Sequence, residues 1–376
     1  MRTILHIIIK EFLQLKRDPK MFVIILVAPV FQLVFLGYAV NMDVEKVSTV
    51  IFNQDNSKTS REFLEKFSGN RYFEFVAHVD NYSDLQSHID NGTASLAIVI
   101  PSDFEKRIAR NEVADIQAIF DGSDGNKASI TAGYLQKIIG EYSINILKSR
   151  RAKSGKFHTP IGQITPEIRA WYNPELSTRV YMIPGIVGLL LSIITLILTS
   201  LAIVKEREIG TLEQIIVTPI KPIQLILGKL IPFALLGFAA VVVVLLAMNL
   251  IFGISPRGSI TFLFATTLLY IISTLGLGLF VSTISKTQQQ AMMLAIFVIM
   301  LPMTFLSGFA FPIENMPQII QGITYIIPLR YFMTILRGII LKGVGFTELW
   351  FDVTMLFAIG VVVFTLSILR FKKRLD

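Results

Sequence analysis

Six stretches of this chain, at about 21–40, 181–204, 229–252, 259–284, 289–311 and 350–370, are apolar over about 20 residues each, the length a helix needs to cross roughly 30 Å of hydrocarbon. Lipid offers no hydrogen bonds, so a segment that enters it must satisfy its own backbone, and runs of this length do so as helices. The chain is 53% hydrophobic and 16% charged, whereas soluble domains are about 25% charged. These constraints predict a polytopic α-helical membrane protein with six transmembrane helices. A further apolar stretch, 317–341, is broken by Pro328 and carries Arg330 and Arg337. Each arginine would cost about 2.5–3.5 kcal/mol near the bilayer centre, so this stretch is read as re-entrant or interfacial.

Charge divides the chain unevenly. The net charge is +8, yet residues 41–180 are slightly acidic and the basic excess sits on the membrane-embedded remainder. That pattern points to lipid headgroups and membrane topology, with no nucleic-acid partner. Basic residues of short loops stay in the cytoplasm. They cluster before the first span (Arg2, Lys10, Lys16, Arg17, Lys20), in 205–222, at Lys286 and in the tail Arg370, Lys372, Lys373 and Arg374. Only Arg257, Arg330, Arg337 and Lys342 fall on the other side. Both termini are therefore expected in the cytoplasm, and 41–180 on the far side of the membrane. Residues 21–40 are longer than a signal-peptide core and no small-residue cleavage site follows, so they are read as a retained anchor.

Residues 41–180 read as an extracytoplasmic α/β domain inserted between helices 1 and 2. Strands are expected at Val47–Asn53, Tyr72–Ala77, Ser95–Ile100 and Ala114–Phe120, each ending in turn formers. Ser83 with Gln86, and Ser102 with Glu105, fit capping boxes, and Asn126–Ala152 carries a long amphipathic pattern. Asn81-Tyr82-Ser83 and Asn91-Gly92-Thr93 match a glycosylation sequon but read as turn and cap residues. There is no cysteine, so this segment of about 140 residues must be held by its core alone. Lys153–Pro174, rich in Gly and Pro, reads as the linker to the second span.

Residues 1–20 place Ile4, Leu5, Ile8, Phe12 and Leu15 at helical spacing among Lys10, Lys16, Arg17 and Lys20, the pattern of a cytoplasmic interfacial helix. A plain positively charged flank fits equally. Asp18-Pro19 ends it. No phosphate cradle of the form G-x-x-x-x-G-K-[ST] is present, since Gly155-Lys156 continues with Phe157. The histidines are scattered, and no zinc or hydrolase motif occurs. Ion-coupled transport usually needs ionisable groups at mid-bilayer. Here Lys229 and Asp352 sit near span ends, where snorkelling or headgroup contact is the simpler reading.

The loop 205–222 reads Lys205-Glu206-Arg207-Glu208-Ile209-Gly210-Thr211-Leu212-Glu213-Gln214-Ile215-Ile216-Val217-Thr218-Pro219. Leu212, Ile215 and Ile216 make one apolar ridge, and Thr218-Pro219 stops the helix. A short amphipathic helix tied to two spans is suited to a groove on a partner protein, or to lying on headgroups; physics alone leaves both open.

This segment resembles the coupling segment of ABC-2 type transporter permeases, the membrane subunits of ABC exporters. Lys10-Glu11-Phe12 with Arg17-Asp18-Pro19, Gly37-Tyr38-Ala39, Ser307-Gly308-Phe309, Phe311–Pro317, Pro328-Leu329-Arg330-Tyr331-Phe332 and Leu336-Arg337-Gly338 agree in order and spacing. The similarity is greatest to multidrug efflux permeases of Gram-negative bacteria. It implies two permease chains, identical or paralogous, above two copies of a separate ABC ATPase subunit that binds ATP and Mg, leaving this chain without cofactor or ATPase activity of its own. It implies a coupling helix carrying Glu206, Arg207, Glu208, Gly210, Thr211, Glu213, Gln214, Thr218 and Pro219, and an interfacial helix with Lys10, Glu11, Arg17 and Asp18. It also implies a re-entrant exit segment with Pro328, Arg330 and Arg337. The two arginines, seven apart, would face the exit or an anionic headgroup, or snorkel to the interface. The cargo implied is hydrophobic or amphipathic, and a periplasmic membrane-fusion adaptor is a candidate partner of 41–180. A signalling subunit without flux, and a secondary transporter, are the alternatives.

Overall fold

The computed structural model describes residues 2–17, 19–39, 46–69, 72–153, 171–174, 177–210 and 222–370. The chain forms two compact units, Met1–Asn41 with Arg169–Asp376, and Met42–Ile168. The first begins with α1 (Arg2–Arg17) and α2 (Pro19–Ala39). Helix α1 turns Ile7 and Glu11 inward while Leu5, Ile9, Phe12 and Leu13 are exposed. The apolar stripe expected to include Leu5 and Phe12 is thus rotated, because Glu11 has charged partners on the protein side.

The second unit is the α/β unit expected within 41–180. Its elements are β1 (Val47–Asn53), α3 (Lys58–Ser68), β2 (Phe73–His78), α4 (Tyr82–Asp90), β3 (Leu96–Ile100), α5 (Phe104–Ala109), β4 (Gln117–Phe120) and α6 (Gly125–Lys153). The sheet order is β2-β1-β3-β4, with β1 parallel to both neighbours and β4 antiparallel to β3. All five residues of β3 are buried, which is how strands read when both sheet faces are covered. Val47, Ile51, Leu96, Ile98 and Ile100 pack with Phe63, Phe67, Phe104, Leu135 and Ile138 of α3, α5 and α6. Val50, Phe52, Ala97 and Val99 pack with Leu85 of α4 on the opposite face. Neither expected capping box forms. Asn81 caps α4, its side chain accepting from the Asp84 amide at 2.7 Å, and Glu105 instead accepts from Thr59 Oγ1 at 2.6 Å. The fourth strand is shorter than expected, starting at Gln117.

The first unit resumes with α7 (Thr178–Glu208), α8 (Pro222–Phe252), α9 (Ile260–Ile284), α10 (Gln288–Leu306), α11 (Gln318–Thr324), α12 (Pro328–Arg337) and α13 (Phe346–Arg370). Five of these, α7 to α10 and α13, are long and apolar enough to cross a membrane among the described residues. The expected first span lies on α2, whose described apolar part is the shorter Ile25–Ala39. The span expected at 289–311 ends at Leu306, and a π-helical turn occupies Leu294–Met300. Pro302 supplies a reason: it cannot donate to the preceding turn, and its ring crowds the carbonyl four residues back.

Hydroxyls and small residues join α7 to α9. Ser192 shares a hydrogen bond with Tyr270, and Thr195 donates to Thr274 at 2.7 Å. At Gly278 an added Cβ would lie 2.7 Å from the Leu196 carbonyl, the close approach that small residues permit in membranes. The stretch 317–341 breaks as expected. Gln318–Thr324 and Pro328–Lys342 meet at 83°, with Ile327 extended before Pro328, as a residue preceding proline prefers. Tyr331 ties the bend by donating to the Tyr325 carbonyl at 2.9 Å.

The sheet unit yields a test. Phe63 is buried against Phe67, Phe104 and Tyr142, whereas Val113 is 78% exposed. Phe63→Ala is expected to destabilise this unit by about 3–5 kcal/mol and Val113→Ala by less than about 0.5 kcal/mol. Hydrogen exchange of the β1 and β3 amides in the full chain measures both, and equal effects would refute the assigned core.

Candidate functional site

The C-terminal turn of α7 carries Lys205-Glu206-Arg207-Glu208. Successive residues of a helix point about 100° apart, so three neighbouring side chains can reach three sides. Glu206 does so toward α1 and α8. Its Oε1 accepts from Lys10 Nζ at 2.7 Å, and its Oε2 pairs with Lys229 Nζ at 2.8 Å. Glu11 completes the figure, with Oε1 at 3.2 Å from Lys10 and 3.5 Å from Lys229. Two cations and two anions alternate around a closed square, and each ion faces two of opposite sign.

Burial decides what this square is worth. Lys229 is only 2% exposed and Glu11 is buried. An isolated ion in such a place costs several kcal/mol, and only good geometry with opposite charges repays it. Removing one carboxylate leaves the group at net +1, which costs about 3–5 kcal/mol. For Lys10, burial alone would lower the pKa, but the hydrogen bond and charge of Glu206, with the charge of Glu11, raise it above the ordinary lysine value. Its bound charge is therefore retained through neutral pH and lost only as pH rises through that elevated value. Helix α1 approaches closely enough for these contacts because Gly228 faces it: a Cβ there would lie 2.7 Å from Ile7.

The next two residues reach two further helices. Arg207 Nη1 donates to the Ser285 carbonyl at 2.7 Å and the Ser282 carbonyl at 3.2 Å, closing orphan carbonyls at the end of α9. Glu208 Oε2 accepts from the Gln288 side chain at 2.7 Å and its amide at 3.3 Å. A carboxylate at the first turn of α10 also complements the positive end of its dipole. Gly210 then leaves the helix with φ +79°, a conformation that costs any L-residue about 1 kcal/mol or more.

The structure thus brings Lys10, Glu11, Glu206, Arg207 and Glu208 into one assembly with Gly210 at its exit. Arg17 ends α1 and is exposed. Asp18, Thr211, Glu213, Gln214, Thr218 and Pro219 lie outside the described residues. Lys229 corrects the expectation of snorkelling: it turns inward to Glu206 and Glu11. The signal was present, because Ile4, Ile7, Ile8 and Glu11 share one helical face, and an acid on an apolar face requires a cation.

Pro328, Arg330 and Arg337 form a second assembly at the other end of α7. Pro328 occupies the first turn of α12, where its missing amide proton costs nothing. Arg330 donates to Thr324 Oγ1 and lies 4.0 Å from the Tyr325 ring centroid. Arg337 donates to the Gly308 carbonyl at 3.1 Å and stacks 3.8 Å from the centroid of Tyr181. Arg337 is held within the protein rather than snorkelling. Among the described residues, no group of three or more His, Cys, Asp or Glu is placed to hold a metal ion. Neither assembly presents a nucleophile beside a base; both join helices.

Residues 19–369 match the family described as ABC-2 family transporter protein. The chain is 36% identical to the probable multidrug ABC transporter permease YbhS of Escherichia coli, over 100% of this chain and 98% of that protein. It is 30% identical to the probable multidrug ABC transporter permease YbhR of the same organism, over 97% of each. ABC transporter G family member 20 of Dictyostelium discoideum is 23% identical over 96% of this chain, which spans 49% of that protein. With apolar helices for a multi-pass inner-membrane protein and a match that runs nearly end to end, this chain belongs to the ABC-2 transporter permease family.

Proposed function

We propose that this chain is the transmembrane permease of an ATP-driven ABC exporter, moving hydrophobic or amphipathic, drug-like or lipid-like compounds out of the cytoplasm or inner leaflet. A separate ABC ATPase subunit binds and hydrolyses ATP. The observation that carries this reading is the run Glu206-Arg207-Glu208, in which consecutive side chains grip α1 with α8, the end of α9 and the start of α10. A displacement applied to the loop after Gly210 would pass from α7 to four other helices through contacts of 2.7–3.5 Å. The loop acts as the coupling helix and α1 as the interfacial helix beside it. Coupling requires the ATPase to hold this loop differently in its two nucleotide states, because equal affinity shifts no equilibrium.

In this reading the spans are six, counting α2, and the bent pair α11 and α12 is re-entrant. Both termini and the Glu206 end are cytoplasmic, consistent with the basic flanks. Residues 41–180 are periplasmic and dock an adaptor. A second permease chain completes the pathway. The names of the relatives support permease function and multidrug cargo; the distribution of charge supports the orientation.

In inside-out vesicles holding this chain and its ATPase, Gly210→Pro is expected to abolish ATP-driven accumulation while inserted protein stays at the wild-type level. Glu206→Ala is expected to lose transport and about 3–5 kcal/mol of stability. The pair Glu206→Gln with Lys229→Met, which removes the charges together, should recover most of the stability and none of the transport. Retained transport in any of the three would count against coupling through this turn, and ATP hydrolysis without flux in the wild type would favour a force-transmitting subunit that moves no cargo.

Deletion of about 45–165 is expected to abolish co-purification of the periplasmic adaptor while cross-linked permease dimers persist. Loss of the dimers as well would make this unit a spacer that holds the two chains together.

A further inference from the structure

Among the described residues, Arg337 is a guanidinium without a counter-charge. Its Nη1 reaches the Gly308 carbonyl and its plane lies on Tyr181, but Nε and Nη2 are shielded from solvent and have no hydrogen-bond acceptor among the described residues. No described carboxylate forms an ion pair with it. A second unmet donor belongs to the residue before Gly308: the hydroxyl of Ser307, 1% exposed, also lacks a partner among the described residues. Leaving buried donors unmet is costly, and more so when one is charged. The contrast with Lys229 is informative, since there every buried charge has found its opposite.

The unmet edge is the Nε–Nη2 side of a planar fork, which matches a phosphate or carboxylate bidentately. The stacked Tyr181 ring fixes the plane of that fork. Apolar surface adjoins its two contacts: Tyr181 is exposed, and so are Phe305 and Phe311, which flank Ser307 and Gly308 in the chain and whose rings stack at 6.1 Å. A small free anion would meet the charge but leave these rings uncovered. An amphiphile would satisfy both.

We propose that Arg337, with Ser307, binds the anionic head of a membrane amphiphile, a phosphate or carboxylate, whose apolar body lies along Tyr181, Phe305 and Phe311. Binding here does not depend on the direction of transport or on the ATPase, so it stands or falls separately from the export reading.

The full chain, solubilised in detergent, is titrated with phosphatidylglycerol, phosphatidylcholine or inorganic phosphate and followed by native mass spectrometry and thermal melting. Wild-type protein should retain phosphatidylglycerol in preference to phosphatidylcholine and melt higher with it. Arg337→Met, which keeps the stem and removes the fork, should weaken retention at least about tenfold. Ser307→Ala should weaken it several-fold, and Arg257→Met, an equal change of charge on an exposed side chain, should leave it unaltered. If Arg337→Met does not fold, the Ser307→Ala result decides. No preference for the anionic lipid, or wild-type retention in both site variants, would overturn the proposal. Protection by inorganic phosphate equal to that by lipid would overturn the amphiphile assignment.

Discussion

Two lysines and two glutamates withdrawn from water must neutralise one another or not be there at all, and most of the charged end of the helical unit is arranged around that requirement. Lys229 stands on a helix with no other charged residue, and Glu11 on the otherwise apolar inward face of an amphipathic helix. Each would be intolerable alone. Together with Lys10 and Glu206 they cancel, and the cancellation fixes the positions of α1, α7 and α8 relative to one another more narrowly than apolar contact could, because dispersion is indifferent to a small slide whereas a 2.8 Å ion pair is not. Arg207 and Glu208 extend the same logic to helix ends, closing orphan carbonyls on α9 and amides on α10. The rest of the bundle needs no such precision, and there hydroxyls such as Thr195 and Thr274 suffice.

The two arginines of the broken segment show the other outcome. Arg330 rests on aromatic faces and a threonine hydroxyl, while Arg337 finds one carbonyl and one ring. The charge of Asp352 acts on Arg330, whereas the described contacts of Arg337 orient a guanidinium without neutralising it. One end of the helical unit therefore stores balanced charge and the other keeps an unbalanced one, a division that suits a lever at one end and recognition at the other.

How much of this could be read beforehand follows from the range of the forces involved. The long apolar runs and the strand pattern of Val47–Asn53 and Leu96–Ile100 depend on local periodicity; the two strands stand within a residue of where periodicity puts them, and the helices form where expected but with ends several residues away, as at Pro222 and Leu306. Caps were less legible: Ser83 and Ser102 had the right spacing, but Asn81 lay nearer the α4 amides and Thr59 claimed Glu105. The π-helical turn before Pro302 depends on how a proline's defect is distributed, which no pattern displays. The partners of Glu206 come from residues 196 and 23 positions away, so its importance was legible only through resemblance, and Lys229 was misread because its neighbours in sequence are all apolar.

That separation along the chain has a consequence for biogenesis. Glu11 leaves the ribosome long before Lys229, and in the interval α1 holds an acid on its apolar face with nothing but Lys10 beside it. The N-terminal segment must therefore wait in a hydrated setting until the helix bearing Lys229 has been threaded into the bilayer, and its docking then marks the moment at which the first half of the bundle is complete.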